Sequence, residues 1–240
     1  MLATLGLCWL LVAGPPLDVL TFGDAESEAA HQFVAPASDL VEGPGGAPLR
    51  RLLPLDPPDF LGTSLSFELA CDPVAPTYLT ARLDGSARDA AAGRLTVFCA
   101  GQQVGWQHLG EVEPLDIAAD APLAPGQYYY STLPLPPHLT AGRTSVPITI
   151  RAMGRIWGYG QTTEEYYKRL EGPSRGIGRI FAHTEPCLEL PADEPRPPAP
   201  PRSRADCPRP RHTAPAPPPY ARPPAGRGPA RACPARRRPR

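Results

Sequence analysis

The chain has 240 residues, with 24 Lys+Arg balanced by 24 Asp+Glu, and its formal net charge is zero. That neutrality joins two unlike pieces: residues 191–240 hold 17 of the 36 Pro and 12 basic residues against Asp193, Glu194 and Asp206, a net of +9, which leaves −9 on residues 1–190. A tail without Leu, Ile, Val, Phe, Met or Trp cannot bury enough apolar surface to offset its ordering entropy, which excludes a second globular domain there.

Residues 2–13 (LATLGLCWLLVA) form a 12-residue apolar run. A membrane span needs roughly 20 residues, so the run suits the apolar region of an export signal instead. Ala13-Gly14 offer small residues for cleavage, although nothing basic precedes the run. Residues 1–19 therefore read as a degraded signal segment, and the location as secreted or periplasmic, without a membrane span.

Asp24 is placed to cap a helix over residues 25–33 (AESEAAHQF), whose early acidic residues complement the helix dipole. From residue 60 onward the periodicity is two, punctuated by Pro and Gly. Strands are predicted over 64–69, 78–83, 95–99, 103–108, 128–133, 146–151 and 177–182. Ala100-Gly101 joins the third and fourth as a hairpin, with Gly101 supplying a positive φ. Pro147 cannot donate to a ladder, which assigns its strand to an edge. A second short helix is predicted over 164–170, capped by Thr162 or Thr163 and stopped at Gly172-Pro173. Seven short strands and no βαβ alternation describe an all-β, antiparallel sandwich over residues 20–190, with one or two short peripheral helices.

Few residues here suit covalent chemistry, and no catalytic residue is assigned. Gly172-Pro173-Ser174-Arg175-Gly176 matches the G-x-S-x-G string of serine hydrolases. That chemistry needs a strand before the serine and a helix after it. Here the order is reversed, so the string reads as a turn. Glu164 and Glu165 fall at a helix start, where they complement the dipole. Glu111, Glu113, Asp116 and Asp120 share an acidic loop, with Asp116 and Asp120 the candidate calcium ligands, but no calcium-loop spacing supports them. A small hydrolase using an acidic pair near Asp116 is the rival from the enzyme class. Cys71, Cys99 and Cys187 are an odd set without C-x-x-C spacing, so no metal cage and no disulfide is assigned. His31, His138 and His183 carry no spacing pattern, and no cofactor motif appears.

Aromatic rings offer more. Residues 155–160 (RIWGYG) set Arg155, Trp157 and Tyr159 among glycines just after a strand, and Trp106 with His108 closes another. Flat rings can receive the C–H faces of sugars while Arg or His orients hydroxyls. The competing role for the tryptophans is core packing. In the tail, Pro197-x-x-Pro200-x-Arg202 fits a polyproline-II ligand, a match that any tract this proline-rich produces. It also makes an interaction protein acting through the basic tail a third reading. No aromatic interleaving accompanies the tail's charge, so nucleic acid is not expected. One Lys (Lys168) against 23 Arg marks GC-rich coding DNA. Arg/Pro/Ala/Gly monotony is what such DNA yields out of frame, so the end from about residue 192 reads as frameshift-derived, in place of a longer protein.

The strings YLTAR (78–82), LDGS (83–86), GRLTVF (93–98), GQQVG (101–105), PGQYYY (125–130), LPLPPHL (133–139) and TAGRTSVPITI (140–150) resemble a jelly-roll, galactose-binding-like sandwich. Such sandwiches are appended to secreted bacterial glycoside hydrolases of the β-L-arabinofuranosidase kind. FGDAESEAAHQF (22–33), RIWGYG (155–160) and EGPSRGIGRIFAHT (171–184) are similar to the N-terminal region of large exported proteins with twin-arginine signals. The resemblance implies an accessory module that brings no catalytic residues, a carbohydrate partner, and a catalytic domain missing from this chain.

Overall fold

The computed structural model describes residues 13–86, 94–107, 126–156 and 161–195. In chain order these hold β1 (Ala13–Gly14), β2 (Asp18–Thr21), α1 (Ala25–Ala30), β3 (Ser38–Glu42), a 3-10 turn (Pro44–Gly46), β4 (Pro48–Leu52), β5 (Leu61–Ala70) and β6 (Tyr78–Asp84). There follow β7 (Arg94–Cys99), β8 (Gln102–Gln107), β9 (Tyr128–Pro134), α2 (Pro137–Thr140), β10 (Ser145–Met153), α3 (Thr163–Tyr166), β11 (Ile177–His183) and β12 (Cys187–Leu188).

All seven predicted strands form, as β5 to β11. They build an antiparallel sandwich: one sheet runs β5-β10-β7-β8, the other β3-β4-β11-β6-β9, with β2 also paired to β11. A short parallel pair, β1 with β12, lies apart from both. Side-chain alternation decides which residues meet between the layers. Leu65, Phe67 and Leu69 of β5 and Val146, Ile148 and Ile150 of β10 come from one sheet; Leu79 and Leu83 of β6 and Ile180 and Ala182 of β11 come from the other.

Pro147 departs from the sequence expectation. Its strand is central, with β5 on one side and β7 on the other. The β7 ladder begins only at Ile148 opposite Cys99, and the amide of Ala100, already in the turn, donates to the Pro147 carbonyl at 2.9 Å. The missing N–H therefore faces a turn, and no ladder bond is lost. In that turn Gly101 has φ +81° as expected, while Ala100 also adopts a positive φ of 48°.

The first helix is shorter than its pattern. Asp24 caps it, accepting from the amides of Glu26 and Ser27. Gln32, at φ +51°, then turns the chain so that Val34 exchanges two main-chain hydrogen bonds with Ser66. The second predicted helix, α3, is a single turn capped by Thr162, whose Oγ1 accepts from the Glu165 amide at 3.2 Å.

Composition puts both ends of the domain in different places from the packing. Asp18 and Val19, within the stretch assigned to a signal, lie in β2 beside β11, and Leu20 and Phe22 are fully buried. The Asp18 carboxylate accepts from His31 and from the Ala70 amide. At the other end Asp193 and Glu194, assigned to the tail, pair with arginines of the six-stranded sheet. The remaining residues, 196–240, lie outside the described ones, as do 1–12.

His183 of β11 is fully buried. Its Nδ1 lies 2.6 Å from the Glu185 carbonyl, which only an N–H can satisfy, so Nε2 accepts from the Thr80 hydroxyl at 2.8 Å. Burial holds this imidazole below its ordinary pKa, with the Glu185 hydrogen bond opposing. A histidine whose folded pKa is depressed takes up its proton more readily in the unfolded chain. Stability is thus expected to be full above the unfolded value of about 6.5 and to fall as the pH drops below it. Thermal melts from pH 8 to 5 check this: His183→Gln is expected to flatten that part of the profile, and an unchanged slope contradicts the assignment.

Candidate functional site

At one end of the sandwich three backbone segments converge. The Gly154 amide donates to the Phe60 carbonyl at 2.7 Å, Lys168 to Arg155 at 2.9 Å, and Leu170 to Asp59 at 2.8 Å. A β-bridge joins Ile156 to Tyr167. Gly154 is required for this approach, because a Cβ there would stand 1.8 Å from the Lys168 carbonyl oxygen. Leu170, buried, anchors the returning segment against Gly62. These hydrogen bonds draw Tyr167 out of helical geometry, to φ −99° and ψ 91°, which is why α3 ends after one turn.

Between the segments lies an open groove of about 1300 Å³. Two rings, Phe60 and Tyr167, line it, and a third, Tyr166, packs against Tyr167. Phe60 and Tyr167 meet edge to face with centroids 4.8 Å apart, and Tyr166 meets Tyr167 at 4.7 Å and 84°. Tyr166 is 36% and Tyr167 41% exposed, so the group presents apolar faces to solvent. Around them the groove carries Asp59, Glu164, Glu165 and Glu171 against Arg155, Lys168 and Arg169. Rings that stack on C–H surfaces, bordered by donors and acceptors for hydroxyls, are suited to a neutral polyhydroxylated ligand.

Of the residues singled out from sequence, Arg155 is exposed and forms part of this groove. Trp106 has its backbone on β8, paired with Thr96, which in turn pairs with Arg151. The ends of β8 and β10 therefore lie at the same end of the sheet, but β7 and β10 separate Trp106 from the β5 wall of the groove. The Trp106 side chain, His108, Trp157, Tyr159, Asp116 and Asp120 lie outside the described residues. Tyr166 and Tyr167 were missed because Glu-Glu-Tyr-Tyr-Lys-Arg-Leu reads as a helix, and Phe60 because nothing in the Pro-Pro-Asp-Phe string before β5 marks it. The available signal was two adjacent tyrosines, which no single helix face can bury together.

Ser174 is buried, and its Oγ accepts from the Leu52 amide at 2.9 Å while donating to the Arg175 carbonyl at 3.0 Å. The hydroxyl thus ties the loop before β11 to the end of β4, a structural role rather than that of a nucleophile. Cys71 and Cys99 are buried free thiols, and Cys187 is an exposed one. Burial pushes the thiols of Cys71 and Cys99 up, away from the reactive thiolate. Among the described residues no group of three His, Cys, Asp or Glu could hold a metal ion, and no helix is long and apolar enough to cross a membrane.

No family model matches the sequence, and no curated protein matches it. Solved structures do. A family 35 carbohydrate-binding module from an environmental isolate is 13% identical, with 71% of this chain covering 98% of that one at a TM-score of 0.42. The C-terminal CBM6 of a marine laminarinase from Zobellia galactanivorans is 11% identical over 68% of this chain and 96% of that one, at 0.38. An exo-β-1,3-galactanase from Phanerochaete chrysosporium is 10% identical at 0.40, and the chain, matched over 71% of its own length, spans 29% of that enzyme. At these values the likeness adds nothing to the two-sheet architecture that the strand pairing itself displays.

Proposed function

We propose that the chain is a non-catalytic, carbohydrate-associated sandwich module of an exported protein, part of a larger polysaccharide-processing assembly whose catalytic domain lies elsewhere. The observation that carries this reading is the pair of the half-buried Phe60 and the exposed Tyr167, beside Arg155 in an open groove and extended by Tyr166 packed on Tyr167. The rings supply stacking area at little entropic cost, since each has only two side-chain torsions to fix. The mixed charges, four acidic against three basic, supply hydrogen bonds with little net charge, which suits hydroxyls better than an ionic ligand. Export follows from the apolar run at residues 2–13, read as a signal.

Screening the full chain on a polysaccharide and oligosaccharide array tests the reading. Binding is expected, and Tyr167→Ala is expected to weaken it about tenfold or more, the scale of a well-placed aromatic anchor. Because Tyr167 is part-exposed, the variant is expected to melt within a few degrees of the parent. Equal binding by both proteins, or none by either, contradicts the proposal.

A further inference from the structure

The outer face of the six-stranded sheet carries a second cluster, independent of the groove. Tyr130 of β9, Arg82 of β6 and Arg179 of β11 sit directly opposite one another across three adjacent strands. Two guanidiniums on neighbouring strands repel unless an anion lies between them. The anion is the carboxylate of Glu194. Arg82 Nη1 donates to both of its oxygens at 3.1 Å, Arg179 Nη1 to Oε1 at 2.6 Å, and the Tyr130 hydroxyl to Oε2 at 2.6 Å. Arg179 Nη2 also donates to Asp193 at 2.7 Å. The side chains of Arg82 and Glu194 are 3% and 1% exposed.

The receiving half of this cluster is built into the sheet. Arg82 lies 4.5 Å over the Tyr128 ring, and Gly178 leaves its guanidinium room, since a Cβ there would come within 2.5 Å of Arg82 Nε. The carboxylate half arrives differently, on an arm beyond β12 (Leu-Pro-Ala-Asp-Glu-Pro, 190–195). The main-chain hydrogen bond found within those residues is internal, from the Glu194 amide to the Pro191 carbonyl. Side chains therefore hold the arm to the sheet. Donors are also in surplus. Each guanidinium has five N–H groups, and among the described residues the buried Nε of Arg82 and that of Arg179 have no hydrogen-bond partner.

We infer that Arg82, Arg179 and Tyr130 form a carboxylate-binding site on the outer face of the six-stranded sheet, which Glu194 fills as an internal ligand and which accepts a small carboxylate from solution once that side chain is removed. One nitrogen from each of two guanidiniums and a phenol converge on one carboxylate, an array of donors, two of them charged, that favours an anion over a hydroxyl or a neutral amide.

Chemical rescue of full-length Glu194→Ala tests this directly. The substitution deletes a CH₂–COO⁻ fragment, for which acetate is the matching molecule and acetamide the neutral isostere. Thermal melts of the variant in sodium acetate, sodium chloride of equal ionic strength, and acetamide are compared. Acetate alone is expected to raise the melting temperature in a saturable manner; at ten times its Kd it multiplies the folded-to-unfolded ratio by about 11. The parent chain and the isosteric Glu194→Gln, whose side chains fill the site, are expected to show no acetate-specific rise. Should Glu194→Ala not fold in chloride, its refolded yield in acetate against chloride gives the same comparison. Equal effects of acetate and chloride, or an equal acetate gain in Glu194→Gln, overturn the inference.

Discussion

Glu194→Ala is expected to lower the melting temperature of the full chain by about 6–20 °C. Removing one partner of a buried ion pair leaves the other charge desolvated without compensation, which costs about 3–5 kcal/mol. For a domain of this size each kcal/mol moves the midpoint by roughly 2–4 °C. Here the exposed cost is larger than for an ordinary pair, because Arg82 and Arg179 both lose the carboxylate that separates them. Tyr130 loses its acceptor as well, at a phenol whose ionisation burial, then the Glu194 hydrogen bond, already oppose. Asp193→Ala provides the contrast. It removes the same formal charge from the same arginine, but its side chain is 64% exposed, so the expected change is within about 1 kcal/mol. Similar losses in the two variants, measured by denaturant titration, contradict the role given to Glu194.

The second large effect is expected at Gly154. A methyl group there would stand 1.8 Å from the Lys168 carbonyl oxygen and 3.0 Å from the Arg169 carbonyl carbon. Both are backbone atoms, so no rotamer change relieves the clash. Gly154→Ala must push the 167–170 segment away from residues 59–61. That breaks the Lys168–Arg155 and Leu170–Asp59 hydrogen bonds and withdraws Leu170 from the core. Overpacking of this kind costs about 1–3 kcal/mol, and more where backbone has to move. The functional consequence is specific: the rings of Phe60 and Tyr167 separate, so glycan binding is expected to be lost by a larger factor than in Tyr167→Ala. Hydrogen exchange at the Lys168 and Leu170 amides reads the local effect. Retained protection at both amides would show that the segment does not depend on this close approach.

The sandwich was legible because several of its strands obey period two over six residues. Ser64 to Leu69 and Tyr78 to Leu83 alternate polar and apolar side chains; in β5 burial follows that alternation, whereas in β6 the polar Thr80 and Arg82 of the outer face are buried as well. The strands that sequence did not reveal lack it. In β4, Leu49 and Leu52 are buried while Arg50 and Arg51 lie between them, with Arg51 paired to Asp39 on β3. The four-residue β2 is too short to display any period, and it becomes a strand because β11 lies beside it. The outer-face cluster was hidden for another reason. Arg82, Arg179 and Glu194 are distant in sequence, and composition assigned Glu194 to a tail whose charges read as solvated.

The groove was half legible. Arg155 was marked by its aromatic neighbours, and it does form part of the groove. The rings that the structure places there, Phe60 and Tyr167, come from a loop before β5 and from the end of a one-turn helix. Only tertiary hydrogen bonds bring them together, and local pattern carries no record of those.

Chemical-shift mapping of the full chain during titration with its best-binding glycan tests the central claim most directly. The largest perturbations are expected at residues 59–61, 154–155 and 162–171, with the sugar's own spectrum unchanged over days. Perturbations centred on another surface, or the steady appearance of cleavage products in the same tube, would contradict a groove that binds without reacting.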